Sequence, residues 1–192
     1  TTPEQNENTA KLTKEFNIIK FNQFVEESQE LGKKGEFEKA YELIKQAIKI
    51  FPSNQDAQWG VSSCLNHLKR YKESIDEYKK LIDIQDEEKP ENPRYRFEMG
   101  QVMIFDGQTY EGLKEISKAM ELTVEFDSFL ARVGEIYEEL NMPVEAEIAY
   151  KTYLEKFPFD YKIWKRHGDC LQKLGRNNDA EISYLTSKNI KN

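Results

Sequence analysis

Hydrophobic, small and polar residues recur along the chain with a spacing that is typical of paired helices. After a turn glycine at Gly35, an aromatic residue follows two places on, at Phe37. Alanines stand five and twelve places after the glycine, at Ala40 and Ala47, and a proline follows at Pro52. Small residues at helical spacing let a neighbouring helix approach, and proline cannot donate the next helical hydrogen bond. The pattern therefore predicts a helix that begins after Gly35 and ends near Pro52.

The same pattern returns four more times. The turn position recurs at intervals of 34 or 38 residues, at Lys69, Gly107, Asn141 and Gly175. Three of these turns are preceded, seven residues earlier, by another glycine: Gly100, Gly134 and Gly168. Because both halves of the unit repeat together, the sequence indicates a tandem array of helix–turn–helix units.

The unit resembles the tetratricopeptide repeat (TPR), a helix–turn–helix module of 34 residues. The matching residues are small or aromatic residues at helix contacts and prolines at helix ends: Gly35, Ala40, Ala47, Pro52, Gly134, Tyr137, Ala146, Tyr150, Pro158, Trp164, Gly168, Gly175, Ala180 and Tyr184. The resemblance covers residues 21–192 and implies an all-α, right-handed superhelical solenoid of antiparallel helix pairs. It implies a single domain of five repeats, at about residues 21–54, 55–88, 93–126, 127–160 and 161–192.

Two segments depart from the regular array. Residues 1–20 are predicted to form an N-terminal tail and a capping helix, because Leu12, Phe16 and Ile19 have helical spacing. The alternative is an extension of the first repeat helix. Between repeats two and three, Asp86–Pro93 adds four residues and two prolines, which predicts an exposed loop.

Composition narrows the classes of partner. The formal net charge is -7 over 192 residues and forms no basic stripe, which argues against nucleic acid as a partner. No apolar run reaches the roughly 18 residues that a membrane span needs. Two cysteines are too few for a disulfide framework, which favours a cytoplasmic or other reducing intracellular compartment. A targeting signal outside the given sequence is compatible with this expectation.

No enzyme or metal-site signature stands out. His67 and His167 have no nucleophile and carboxylate beside them at a suggestive spacing, so we expect surface or half-buried helix residues. Cys64 and Cys170 occupy the same position of their repeats, which favours a packing role over reactivity. The sequence therefore predicts a non-catalytic protein with no cofactor and no metal.

The resemblance also implies where a ligand binds, since TPR proteins bind ligands on the concave surface lined by the first helix of each repeat. On this chain, that surface would include four large apolar residues on the solvent side of their helices: Trp59, Phe97, Ile104 and Phe105. Exposed aromatic residues grouped in this way predict a binding patch. The alternatives are a one-residue error of phase or cover by the N-terminal helix. Of the four, Trp59 is the residue whose solvent-side position has the least support, because the tryptophan of the family lies one position earlier in the repeat.

A second candidate on the same surface is a group of cations near the C-terminal end: Arg132, Lys162, Lys165 and Arg166. These side chains would pair with acidic side chains or a C-terminal carboxylate, and a guanidinium offers two-pronged geometry. The alternative is a solvated helix surface neutralised by nearby acids: Glu135, Glu138, Glu139 and Asp169.

The heat-shock co-chaperone branch of the family holds a C-terminal carboxylate with Lys, Asn, Asn, Lys and Arg from three successive repeats. In repeats three to five, the equivalent positions are Phe97, Gln101, Arg132, Lys162 and Arg166. Only the last two keep the required cation, so a standard carboxylate clamp is not predicted.

The predicted function is protein–protein interaction: a scaffold or adaptor subunit that binds a peptide, helix or protein surface within a larger complex. One alternative is a chaperone or assembly factor that holds an unassembled client on the same aromatic surface. Another is an RNA-processing scaffold of the half-a-TPR type, against which the 34-residue period and the acidic charge both count.

Overall fold

The computed structural model describes residues 3–83, 92–122 and 129–191, with side chains from residue 10 onward. These residues form ten α-helices and no strand, which confirms the all-α fold class. Apart from Asn92 and Pro93, the loop predicted at Asp86–Pro93 lies outside the described residues. The helices are α1 (Pro3–Lys33), α2 (Phe37–Ile50), α3 (Gln55–His67), α4 (Tyr71–Asp83), α5 (Pro93–Phe105), α6 (Thr109–Glu121), α7 (Leu130–Glu139), α8 (Pro143–Lys156), α9 (Tyr161–Lys173) and α10 (Asn177–Lys191).

The chain divides into two compact units, residues 1–122 and 123–192. The first contains α1–α6 and the second contains α7–α10. The single domain over residues 21–192 stays a prediction, and each unit is described by itself below. Within each unit, the most extensive contacts run between helices that are neighbours along the chain. This is the contact pattern of a repeat array, in which each repeat touches only its neighbours.

One backbone turn closes all five described hairpins. The turn residue has a positive φ in each, and three of the five are glycines: Gly35, Lys69, Gly107, Asn141 and Gly175. In the second hairpin, Lys69 N donates to Asn66 O at 2.9 Å and Arg70 N donates to Leu65 O at 2.9 Å. This pair of bonds is the Schellman pattern, which satisfies carbonyls at a helix end. The next helix begins at once, since Ser74 N donates to Arg70 O at 3.0 Å.

The first helices of three hairpins begin with a side-chain cap. Asn54 Oδ1 accepts from Ala57 N at 2.9 Å at the start of α3, and Asn92 Oδ1 accepts from Arg94 N at 3.0 Å at the start of α5. At α9, Asp160 Oδ1 accepts from Lys162 N at 3.0 Å. These oxygens satisfy N–H groups that have no partner inside the helix, so each cap fixes where its helix starts. The helices α3, α5 and α9 begin at Gln55, Pro93 and Tyr161, the residues at which the predicted repeats begin.

The small residues of the repeat lie where helices cross closely. A Cβ on Gly100 of α5 would lie 2.6 Å from the Gly112 carbonyl oxygen of α6, and a Cβ on Gly112 would lie 2.5 Å from the Gly100 carbonyl oxygen. Alanines at the equivalent second-helix position are almost fully buried: Ala40, Ala146 and Ala180. The packing role predicted for these residues is therefore the one that the structure gives them.

Helix α1 runs without interruption from Pro3 to Lys33. The residues predicted as a capping helix are thus an extension of the first repeat helix, which was the alternative reading. The C-terminal part of α1 packs on a core formed by α2 and α3. It does so through four apolar side chains: Phe21, Phe24, Val25 and Leu31. Leu12, Phe16 and Ile19 are exposed.

Candidate functional site

The aromatic candidates lie on α3 and α5 of the first unit. Trp59 is partly buried and packs, together with Tyr71, against the core formed by α4 and α5. Its Nε1 donates to Glu98 Oε2 at 2.5 Å, and the Arg94 guanidinium carbon lies 4.8 Å from the centroid of the indole. Trp59 is therefore held between a carboxylate and a cation, at the edge of the core and not free in solvent.

Glu98 organises this corner of the first-helix surface. Its carboxylate accepts from Arg94 Nε at 2.7 Å and from the Tyr78 hydroxyl at 2.9 Å, in addition to the bond from Trp59. Burial, reinforced by the Glu98 charge, raises the pKa of Tyr78, so the phenol stays protonated and remains a donor. Because Trp59 and Arg94 donate to the same carboxylate, Glu98 fixes the orientation of both side chains. The result is a polar rim around the indole.

The structure corrects the position predicted for Phe97. The sequence places it on the solvent side, but it is only 2% exposed and belongs to the core. The reason is that α5 buries residues around most of its circumference: Tyr95, Phe97, Met99, Gly100, Val102 and Met103. A helix packed on more than one side does not keep the single apolar stripe on which the prediction depends.

Phe105, at the end of α5, does lie at the surface. Its side chain is 46% exposed, and its ring centroid lies 6.0 Å from that of Tyr71 at the start of α4. Gln101 and Ile104 are partly buried on the same helix. Of the apolar candidates, Phe105 is thus the one that offers a large exposed surface to a partner.

The predicted cations lie in the second unit and are paired with acids. Arg132 contacts Glu135 at 2.9 Å and Glu139 at 3.4 Å, and Lys165 contacts Asp169 at 3.3 Å. Lys162 is exposed. The neutralised surface that the sequence left as an alternative is therefore present for Arg132 and Lys165.

Arg166 is paired most closely. Its Nη1 lies 2.6 Å from Glu138 Oε2, and its Nη2 lies 3.4 Å from Glu135 Oε1. Glu138 also accepts from the Tyr150 hydroxyl at 2.5 Å, and burial together with this bond raises the pKa of Tyr150. Glu135 thus joins Arg132 and Arg166 into one network, and an acidic ligand would have to compete with it.

The structure brings together three polar residues that the sequence does not connect. His167 of α9 lies between Ser183 of α10 and Glu147 of α8: Nδ1 is 3.0 Å from Ser183 Oγ, and Nε2 is 3.5 Å from Glu147 Oε1. At 9% exposure, His167 is buried, which corrects the expected surface or half-buried position. The sequence did contain one indication of this burial, because His167 does not occupy a position that would line the concave surface of its repeat.

This trio does not form a nucleophilic centre. Ser183 is 2% exposed, and its hydroxyl donates to the Asp179 carbonyl oxygen at 3.1 Å. A serine nucleophile needs an accessible oxygen whose proton passes to the histidine. The geometry is therefore that of a buried polar network beside a cleft.

Both cysteines are buried, which confirms a packing role for them. Burial raises the pKa of the Cys64 thiol to about 11 and, with the Glu138 charge adding to it, the pKa of the Cys170 thiol to about 12. In the described part of the chain, no three His, Cys, Asp or Glu side chains are grouped to hold a metal ion. None of the described helices has the length and apolar character to cross a bilayer.

Comparison with known proteins agrees with the fold and the repeat. A family model described as the tetratricopeptide repeat matches residues 25–100. The crystal structure of MamA superposes with a TM-score of 0.69 at 14% identity, over 85% of this chain and 94% of that chain. PilF of Pseudomonas aeruginosa gives a TM-score of 0.71 at 16% identity, over 90% and 77%. No curated protein sequence matches the chain significantly.

A third solved structure is that of YrrB, described as a TPR protein with an unusual peptide-binding site. It superposes with a TM-score of 0.61 at 18% identity, over 87% of this chain and 84% of that chain. At these identities the likeness concerns the fold alone. Residues 25–100 are therefore similar to the tetratricopeptide repeat, and the described helices have the fold of TPR proteins, which generally serve as non-catalytic modules for protein interaction.

Proposed function

We propose that the chain is a scaffold or adaptor subunit, without catalytic activity, that holds a peptide or protein segment on the first-helix surface of its first unit. The observation that carries the proposal is the exposure of Phe105 beside Tyr71 at the end of α5. Aromatic side chains contribute most of the binding free energy at many protein interfaces when a partner covers them. Gln101, Ile104 and Trp59 belong to the same proposed surface.

The polar groups beside these residues support a peptide ligand. Arg94 and Glu98 hold the Trp59 indole in one orientation, so less side-chain entropy is lost when a partner packs against it. A fixed aromatic residue with charged neighbours is the arrangement of an interface core and its polar rim. YrrB, which shares the fold, is described as having a peptide-binding site.

The surface of the second unit has a secondary role in this proposal. Arg132, Glu135, Lys165 and Arg166 are engaged in internal ion pairs, whereas Lys162 is exposed. Exposed charges of this kind change association rates and specificity more than affinity. We therefore assign the selection of the partner to the charged residues of the second unit, and the strength of binding to the aromatic surface of the first unit.

The test is affinity purification of the tagged chain from its own cells, with quantitative mass spectrometry of the bound proteins. Phe105→Ala is compared with Phe159→Ala, which removes a phenylalanine that is 82% exposed in the second unit. The proposal expects a stoichiometric partner that is lost with Phe105→Ala and kept with Phe159→Ala. A partner kept by both variants would overturn it. A substoichiometric set released by ATP would favour the chaperone alternative.

A further inference from the structure

A row of exposed apolar side chains lies on the N-terminal half of α1. Leu12, Phe16 and Ile19 are 60%, 60% and 67% exposed, and their spacing of four and three residues places them on one side of the helix. Lys20 Nζ lies 6.0 Å from the centroid of the Phe16 ring, so a cation borders this row. We call the three apolar residues the α1 stripe.

The α1 stripe is not a continuation of the side of α1 that packs on the core. That side contains Phe21, Phe24 and Val25, which pack on the core formed by α2 and α3. With 100° between successive residues of a helix, the centre of the stripe lies about 165° around the helix axis from the centre of these three residues. Helix α1 therefore has two apolar sides, of which one packs on the core and the other is exposed.

The charges beside the α1 stripe have a defined order. Glu15 lies along one edge of the stripe and Lys20 along the other. Beyond Ile19, the same side of the helix carries three acids: Glu26, Glu27 and Glu30. An anionic membrane would attract Lys20 but repel these acids, whereas helices that bind anionic lipids carry basic polar surfaces. The charges therefore argue against a membrane as the partner of the stripe.

A second copy of the chain fits this order of charges. When two α1 helices lie side by side and parallel, with each stripe on the other, an acid at one edge comes beside the base five residues further along the second helix. Glu15 of each copy then pairs with Lys20 of the second copy, and two-fold symmetry makes this pair twice. An antiparallel pair that matches Leu12 with Ile19 would instead bring the two Glu15 carboxylates together. The parallel arrangement is therefore favoured.

The position of the core permits this arrangement. Because α2 and α3 pack on almost the opposite side of α1, two copies joined at their stripes would have these helices on the outside of the pair. Glu26, Glu27 and Glu30 would approach the same residues of the second copy, and like charges repel. The two helices should therefore pair over the stripe and diverge beyond Ile19.

We infer that the α1 stripe is a self-association surface, through which two copies of the chain form a parallel dimer of their first helices. Each copy contributes three large apolar side chains, so the interface is small and the dimer is weak. The inference goes beyond the proposed function and uses none of the residues assigned to peptide binding.

Sedimentation equilibrium of the full chain, from about 1 μM to about 300 μM, measures this association. We expect monomers at the lowest concentration and an increasing fraction of dimers toward the highest. Phe16→Glu puts a carboxylate into the centre of the apolar interface and should raise the dissociation constant at least about tenfold. Ile18→Glu is the matched control, since Ile18 is 42% exposed on the same helix but lies about 120° around the axis from the stripe. This control should dimerise like the wild type, and circular dichroism checks that both variants keep their helix content.

An exchange of charges tests the orientation. Glu15→Lys places like charges beside each other in the parallel dimer and should raise the dissociation constant about threefold to tenfold. Glu15→Lys combined with Lys20→Glu restores the opposite charges and should restore the affinity. In the antiparallel arrangement, Glu15→Lys only replaces one like pair with another, and the combined change has nothing to restore. A dimer that neither variant affects would therefore overturn the parallel arrangement.

Two further results would contradict the inference. One is a dimer that Phe16→Glu leaves intact, since the stripe would then not be the interface. The other is a monomer at every concentration, and binding of that monomer to vesicles containing phosphatidylserine would assign the stripe to a membrane surface instead. Failure of the Phe105→Ala experiment would leave these outcomes unaffected, since that variant does not change α1.

Discussion

Gly168 of α9 lies directly beneath the ring of Tyr184 of α10, so closely that a Cβ on the glycine would be 2.7 Å from Cε1 of that ring. The ring cannot easily move away, because the Tyr184 hydroxyl donates to Asp169 Oδ1 at 2.9 Å and also lies 3.2 Å from Gln172 Oε1. Gly134 and Tyr150 make the same contact in the preceding hairpin. In the second unit, a glycine and a tyrosine thus set the distance between the helices of each pair.

The first prediction follows from that contact. Gly168→Ala forces the new methyl group against the Tyr184 ring and should lower the free energy of unfolding by about 1–3 kcal/mol, the usual effect of overpacking. Gly32→Ala is the control, since a Cβ there meets nothing within 4 Å in α1. It should be neutral or raise stability by about 0.5–1 kcal/mol through helix propensity. Urea denaturation of both variants measures the difference, and equal stability of the two would contradict the contact.

The second prediction separates Phe97 from Phe105. Phe97→Ala removes a buried ring and should lower the free energy of unfolding by about 3–5 kcal/mol. Phe105→Ala removes a ring that is 46% exposed, so its loss should be clearly smaller. Thermal denaturation followed by circular dichroism compares the two. If Phe97→Ala were the milder change, the assignment of Phe97 to the core would be wrong.

The contrast between Phe97 and Phe105 shows how much of the structure can be predicted from the sequence. The repeat register predicts the turns correctly even at Lys69 and Asn141, which adopt positive φ without being glycine. A turn depends on bonds between residues a few places apart, which the sequence displays directly. The side that α5 turns to solvent depends on the helices packed around it, so Phe97 was placed on the wrong side.

The His167 network could not have been predicted from the sequence, for a related reason. Glu147, His167 and Ser183 come from three helices, and their meeting depends on how α8 and α10 pack on α9. The pairing of Arg166 with Glu138 was visible only as an alternative, because charge composition does not tell which acid lies within 2.6 Å of a guanidinium.

The third prediction concerns acidity. Burial lowers the pKa of His167 below its ordinary value of 6.5, although the nearby Glu147 carboxylate opposes this and Arg176 adds to it. The unfolded chain therefore takes up the proton first, and the folded state loses stability as the pH falls from about 6.5 through the lower folded pKa. His167→Phe should show a smaller loss than the wild type between pH 7 and pH 5. Equal losses in urea titrations at the two pH values would contradict it, and His67→Phe is the control.

The fourth prediction concerns the thiols. Because the pKa values of Cys64 and Cys170 are raised to about 11 and about 12, almost no thiolate is present at pH 8. Neither thiol should react with Ellman's reagent in the native chain, and both should react after denaturation in guanidinium chloride. Rapid reaction of a native thiol would show that its helix opens locally. Cys170→Ser is the matched control, since it leaves one thiol to be counted.

The backbone turn inside each hairpin determines where a chain of this kind tolerates inserted or deleted residues. Inside a hairpin, the residue that completes the Schellman pattern also supplies the first carbonyl of the next helix, as Arg70 does. No spare residue lies between them, so one inserted there would rotate the second helix by about 100° and turn its buried face outward. In the described segments that join one hairpin to the next, 51–54 and 157–160, several residues lie between the two helices, so no residue is shared in this way. Insertions and deletions in related chains should therefore concentrate between hairpins, as the longer interval between Lys69 and Gly107 already does.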